Sequence, residues 1–274
     1  MTRLSGLNIH PVKSLRGFSV NSAEVDAMGA VGDRRFLVVD PAGGFLTQRT
    51  VTRMAKVGAF IDDTSLTLQI EGSPDMVVRR SPDPGARLLS VSVWKSERLM
   101  AEDCGDAAAE WLSLALEVEC RLVRAGPAFN RPVLKPLALP DEVTHFADAG
   151  PFLVTSEASL DELNERIRRN GGSPVTMDRF RTNLVITGCP AFAEDTWTRI
   201  RIGEVVFRAL GPSARCIVTT TDQMTGARGV EPLRTLATFR RDALEHSHVN
   251  FGQNLVNESK SGVIRVGDAV EVLD

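Results

Sequence analysis

The 274-residue chain has only four cysteines, Cys104, Cys120, Cys189 and Cys216, and no two are close enough in sequence to form a CxxC pair. Neither a zinc ribbon nor a ferredoxin-type cluster therefore has its ligand spacing. Long apolar runs are missing too. No segment reaches the ~18 residues needed to span a bilayer, and the start, MTRLSGLNIHPVKSLRG, holds no apolar stretch of signal-peptide length. These absences predict a cytoplasmic protein with free thiols and no membrane partner. An excess of one charge is also lacking. With 32 Lys and Arg against 35 Asp and Glu, the net charge of -3 gives no electrostatic footing for nucleic acid, and any anionic ligand must be met by a local cluster of cations. No GxGxxG or Walker-type glycine loop supports a nucleotide fold.

What is present is ordinary globular composition, 43% hydrophobic and 24% charged, in a chain long enough for one large domain or two of about 130 residues each. The first hundred residues read as short strands and turns. Asp40-Pro41-Ala42-Gly43-Gly44 separates two apolar runs as a hairpin would. Ala108, Trp111, Leu112 and Ala115 then fall on one helical face, which should pack on the N-terminal sheet. AGPAFNRPVLKPLALPDE has four prolines and no period, which marks a domain boundary or an active-site loop. A second helix is signalled by SEASLDELNERIRRNGG, with Ser159 and Glu162 as a capping box, Leu160, Leu163 and Ile167 as the buried stripe, and Gly171 as the stop. RTNLVITG, IRIGEVVFRAL, RCIVTTT and GVIRVGDAVEVL read as strands. The echo between Ile200-Arg201-Ile202-Gly203-Glu204 and Ile264-Arg265-Val266-Gly267-Asp268 predicts two hairpins in a closed or half-closed barrel.

On the residues alone, Cys216 reads as a buried thiol at the start of a strand, the commonest place for a free cysteine. Arg215 beside it favours the thiolate, the form that attacks and binds metal. A cysteine hydrolase would need a histidine base, and the spacing does not select among His10, His145, His246 and His248. Lys13-Ser14, Arg34, and Arg181 with Asn183 each read either as solvated surface charge or as part of an anion clamp. A soft thiolate with dispersed phosphate-binding groups suits a metal cofactor that carries a phosphate tail.

HPVKSLRG, GDRRFLVVDPAGGFLTQR, DCGDAAAEWL, DAGPFLVTSEASLDELN, FRTNLVITGCPAFAEDTW, ARCIVTTTDQMTG and FGQNLV occur in this order along nearly the whole chain. The series resembles the MOSC family, in the branch with an N-terminal MOSC-associated β-barrel domain, and within it the amidoxime-reducing components and their bacterial relatives. The resemblance implies a β-rich α+β fold with a few helices, a β-barrel-like domain over residues 1–124 and a MOSC β-barrel domain over 125–274. It implies the molybdenum-molybdopterin cofactor, with no call for pyridoxal phosphate. Cys216 maps onto the molybdenum ligand. Lys13, Ser14, Arg34, Arg49, Arg181, Asn183 and Ser213 map onto cofactor contacts, and Cys216, Asp148 and Arg215 onto the catalytic group. Ala214 departs from the pattern, since relatives often carry serine directly before the RC pair.

The activity implied is reduction of N-hydroxylated small molecules by oxygen-atom transfer to molybdenum. A separate ferredoxin-, flavodoxin- or cytochrome-type donor would supply electrons to a monomeric enzyme. Two other readings use the same thiol, a persulfide carrier through Cys216 and a non-catalytic cofactor carrier. The substrate pocket is expected along the loop 125–142, Arg131, Phe251 and Asn254.

Overall fold

Period-2 alternation sets the strands. Ser22–Asp26 buries Ala23 and Val25, and Ser65–Gln69 buries Leu66 and Leu68, while the residues between them turn outward. The structure, a computed structural model, describes residues 1–82 and 85–273. The architecture is strand-rich α+β, with helices α1 (Asp106–Leu116), α2 (Glu157–Arg169) and the single turn α3 (Leu233–Leu236).

An eight-stranded sheet runs in spatial order Val270–Val272, Arg199–Ile202, Val205–Ala214, Asn250–Asn257, Phe152–Ser156, Leu184–Thr187, Arg3–Ile9 and Phe18–Ser19. Its one parallel pairing joins Phe152–Ser156 to Leu184–Thr187, and α2 lies in that crossover. Phe36–Val39, Arg121–Arg124, Ser96–Asp103 and Leu88–Val93 form a four-stranded sheet. Two three-stranded sheets complete the strands, one of Gly58–Ile61, Ser65–Gln69 and Met76–Arg79, the other of Gly262–Arg265, Ser22–Asp26 and Gly29–Ala30. Strand Arg3–Ile9 thus lies inside a sheet built mostly from residues beyond 150, with Leu4 opposite Ile186 and Leu7 opposite Leu184.

Two large cores result. Leu4, Leu7, Phe152, Leu184, Phe207 and Leu255 close the first, and Val12, Leu15, Phe36, Leu66, Leu112 and Leu122 close the second beneath α1. Each buried Leu or Phe contributes ~1.5–3 kcal/mol, so these clusters fix the frame on which the polar loops are hung. The α1 stripe is as expected: Ala108, Leu112 and Ala115 are buried, and half-buried Trp111 donates its indole N–H to the Pro74 carbonyl at 2.8 Å. The Asp40–Gly44 hairpin turn also forms, with the Asp40 and Gly43 amides bonded across it and Gly43 at φ 84°.

Three expectations need correction. The cap of α2 is Ser156, whose hydroxyl accepts from the Ser159 amide at 3.1 Å. Ser159 is itself fully buried, donating to Glu194 at 2.7 Å, and Glu162 pairs instead with Arg166. The Ile264–Asp268 echo is not a hairpin. Ile264 pairs with Ala23 and Val270 with Ile202, in different sheets, and the turn between is pinned to the first strand by the Gly267 amide on the Leu4 carbonyl. Finally, Ile217–Thr220 is a 3-10 turn rather than a strand. The Thr219 hydroxyl donates to the Cys216 carbonyl at 2.9 Å and the Thr220 hydroxyl to the Ile217 carbonyl at 2.8 Å. Local hydroxyl bonding of this kind competes with strand pairing and overrides β-branched propensity.

Candidate functional site

Loops from both halves of the chain enclose a cavity of about 500 Å³. Lys13 and Ser14 arrive on the turn after Arg3–Ile9, Arg34 just before Phe36–Val39, and Arg49 from the loop beyond that strand. Asp148 comes from the irregular segment ahead of Phe152–Ser156, and Arg181 and Asn183 immediately precede Leu184–Thr187. Ser213, Arg215 and Cys216 stand at the end of Val205–Ala214. Every residue expected to contact the cofactor or to act in catalysis therefore lines one cavity.

The backbone that presents them is unusual. Among the described residues seven non-glycine positions have positive φ, and four of these line the cavity: Ser14 (67°), Arg34 (48°), Trp94 (55°) and Arg181 (54°). Left-handed backbone at such residues costs of order 1–3 kcal/mol each and persists only where the surroundings hold it.

Hydrogen bonds supply that hold. The Arg34 guanidinium donates to Asp33 at 2.5 Å, to Asn183 Oδ1 at 2.9 Å and to the Arg181 carbonyl at 3.0 Å. Fully buried Asn183 acts as a bridge, its Nδ2 donating to the Asn8 carbonyl and its Oδ1 accepting from the Leu153 amide. Arg181 donates to the Leu15 carbonyl at 2.5 Å, and Arg215 donates to Ser213 Oγ at 2.8 Å and the Phe180 carbonyl at 2.6 Å. Lys13, buried, pairs with Asp148 and donates to the Phe146 carbonyl at 3.0 Å.

Cations outnumber anions here, and the titration behaviour reflects it. Burial pushes the Lys13 ammonium down, with Asp148 opposing. Burial together with neighbouring Arg34 brings Arg181 down to about 9. Burial brings Arg215 down to about 10, against the pull of Cys216 and Asp148. The surroundings of Asp148 would favour its neutral form, but Lys13 and the Trp94 indole N–H hold the carboxyl below the usual carboxylate range. Arg181 Nη2 and Arg215 Nε are buried and have no hydrogen-bond partner among the described residues. Such orphaned donors in a cationic cavity fit an anionic ligand. Half-buried Cys216 adds a soft donor on the same wall.

Of the further residues expected in the pocket, Asn254 lines it and the proline-rich loop contributes Lys135. Arg131 does not; it is buried beneath, donating to the His145 and Ala147 carbonyls at 2.9 and 2.5 Å and fixing the segment that carries Asp148. Phe251 is core, stacked on Phe180 at 4.1 Å. Trp94, Lys95, Thr47 and His248 line the cavity without having been expected. The alternation Leu89, Val91, Val93 and then Leu99, Ala101 was the available signal for a hairpin at Trp94-Lys95, but its turn has neither glycine nor asparagine to mark it.

Comparison with known proteins finds two family domains along the chain. The MOSC N-terminal beta barrel domain matches residues 1–119 and the MOSC domain residues 141–271. The chain is 37% identical to mitochondrial amidoxime-reducing component 1 of Mus musculus, over 97% of this chain and 80% of that protein. It is 35% identical to the Homo sapiens protein of that name, over 97% and 81%. With mitochondrial amidoxime reducing component 2 of Bos taurus it shares 33% identity over 97% and 82%. The chain with this cationic, thiol-bearing cavity belongs to the amidoxime-reducing component family of MOSC-domain proteins.

Proposed function

We propose that the protein is a molybdenum cofactor-dependent reductase of N-hydroxylated compounds, among them amidoximes, hydroxylamines and N-hydroxylated bases. The observation that carries this reading is the meeting of the Cys216 thiol with Lys13, Arg34, Arg181 and Arg215 at one cavity that holds two orphaned guanidinium nitrogens. Cys216 is the metal's protein ligand. Among the described residues no group of three or more His, Cys, Asp or Glu side chains converges, so a metal held there brings most of its own ligands, as a pterin dithiolene does. Lys13, Ser14, Arg34, Arg181, Asn183 and Ser213 hold the pterin and its phosphate tail. When bound in its reduced form, the cofactor would supply two electrons to the substrate and accept its oxygen atom.

The chain's own residues do the rest. Arg215, fixed by Ser213 and the Phe180 carbonyl, keeps positive charge beside Cys216. Asp148 faces the open cavity and stays ionised, which makes it a poor proton donor at neutral pH and suits it to orienting a substrate N–H group. The net reaction, R–C(NH2)=NOH with two electrons and two protons giving R–C(NH2)=NH and water, draws its electrons from a separate ferredoxin-, flavodoxin- or cytochrome-type donor. The test is anaerobic turnover of benzamidoxime with a chemical reductant by protein from a cofactor-competent host. Turnover with about one molybdenum per chain supports the reading. No turnover at full loading overturns it, as does an extra sulfur on Cys216 with no molybdenum, the outcome a persulfide carrier would give.

A further inference from the structure

Trp94 stands in the two-residue turn between Leu88–Val93 and Ser96–Asp103, in left-handed backbone with φ 55°. That conformation is rare for a bulky residue, and here it lays the indole on the cavity wall with 39% of its surface open. Phe45 meets the ring edge-on at 4.8 Å, and the indole N–H donates to Asp148 Oδ1 at 2.8 Å. On the ring face lies the Arg49 guanidinium, 4.2 Å from the centroid. Arg49 is exposed, and among the described residues its guanidinium has no carboxylate or carbonyl partner. A planar, delocalised cation therefore rests on an aromatic face, held by one weak contact. The carboxylate at the ring's edge has its second oxygen, Oδ2, without a hydrogen bond among the described residues.

An amidine or N-hydroxyguanidine head has the same outline as that guanidinium: flat, delocalised and edged with N–H donors. We infer that the Trp94 face, with Asp148 at its edge, is a subsite for planar amidine- and guanidine-type N-hydroxylated substrates, and that Arg49 fills it as a displaceable stand-in when no substrate is bound. The inference rests on the reductase reading above and assigns Arg49 a role other than cofactor clamp.

Benzamidine tests it without turnover, because it has the planar cationic head and no N–O bond to reduce. Titrated calorimetrically into the cofactor-loaded enzyme, it should bind about two- to fivefold more tightly to Arg49→Ala, which vacates the slot, and about fivefold more weakly to Trp94→Leu, the range expected of a cation–π contact at an exposed site. Trp94→Phe, which keeps an aromatic face without the N–H, should fall between wild type and Trp94→Leu. In steady state, the KM of an N-hydroxyguanidine relative to that of hydroxylamine should rise in Trp94→Leu. Benzamidine affinity unchanged in Arg49→Ala and Trp94→Phe overturns the subsite, as does loss of molybdenum from Arg49→Ala. Benzamidine binding as expected with no reduction of benzamidoxime leaves the subsite standing and removes the reductase reading.

Discussion

Gln48 and Gln223 exchange hydrogen bonds in both directions, each amide nitrogen 3.0 Å from the other's carbonyl oxygen, with both side chains buried. Gln48 also donates to the Ser14 carbonyl at 2.8 Å and Gln223 to the Thr221 carbonyl at 3.0 Å. One amide pair thus ties together the turn that carries Ser14, the loop that carries Arg49 and the segment that follows Cys216. Arg228 reinforces the seam by donating to the Gln48 and Arg49 carbonyls.

Because both amides are buried, removing one strands the other. Gln223→Leu should lower the unfolding free energy by about 1–3 kcal/mol, the cost of an unmade buried hydrogen bond, and Gln48→Leu by a similar amount. The double variant should lose less than the sum, with a coupling of ~0.5–3 kcal/mol in urea unfolding. Additive losses would show the pair to be incidental.

Cys216→Ser should fold normally and lose molybdenum and activity together. Cys189→Ser, which changes a half-buried thiol that does not line the cavity, should keep both. Metal analysis of the two purified variants decides the point, and a Cys216→Ser protein that retains molybdenum removes the thiolate from the metal's ligands.

Arg181 is a half-buried cation with a buried, orphaned nitrogen, and the Arg34 charge lies close enough to lower its pKa. A charge-assisted hydrogen bond contributes about 1.5–3 kcal/mol, so Arg181→Ala should cut cofactor occupancy roughly 10- to 100-fold at limiting cofactor. Arg181→Lys should recover part of the charge but not the forked geometry. Molybdenum per chain measured against added cofactor reads this directly.

Acid should destabilise the fold well before the carboxylates titrate. Burial, with Arg35 beside it, holds the His145 imidazole down at about 3, and burial with Arg181 and Arg34 pushes His10 well below its ordinary range. Both rings are neutral when folded and take a proton when unfolded, so stability is lost as the pH falls below about 6.5, at ~2 kcal/mol for His145 between pH 7 and pH 5. Urea midpoints across that window should fall, and His145→Gln should remove about half the slope. An unchanged slope would rule out His145 as a source.

Much of the site was legible through the ordered motif series and the resemblance it carries, since on the residues alone the basic stretches read equally as surface charge and Cys216 as a buried thiol. Lys13-Ser14, Arg34, Arg181 with Asn183, and Arg215-Cys216 combine charge or a thiol with strand ends, and the fold brings all of them to one cavity. Trp94 escaped notice because its turn uses left-handed backbone without glycine or asparagine, a cost visible only once its ring is seen against Asp148 and Arg49. The run after Cys216 misled because threonine's β-propensity and its hydroxyl act in opposite directions, and the hydroxyls of Thr219 and Thr220 prevail. The Ile264–Asp268 echo misled for another reason. A Gly-acid turn is a local signal, whereas Ile264 takes its partner Ala23 from across more than half the chain and Val270 takes Ile202 in a different sheet.

The position of Arg3–Ile9 inside the eight-stranded sheet has a temporal consequence. This strand leaves the ribosome well before its partner Leu184–Thr187, which is made about 180 residues later, a wait on the order of 10–40 s at ordinary rates of synthesis. Lys13 and Ser14 follow that strand directly, and Cys216 emerges later still. The cation cluster and the thiol can therefore come together only once synthesis has passed Cys216, so loading of the cavity is deferred at least until then.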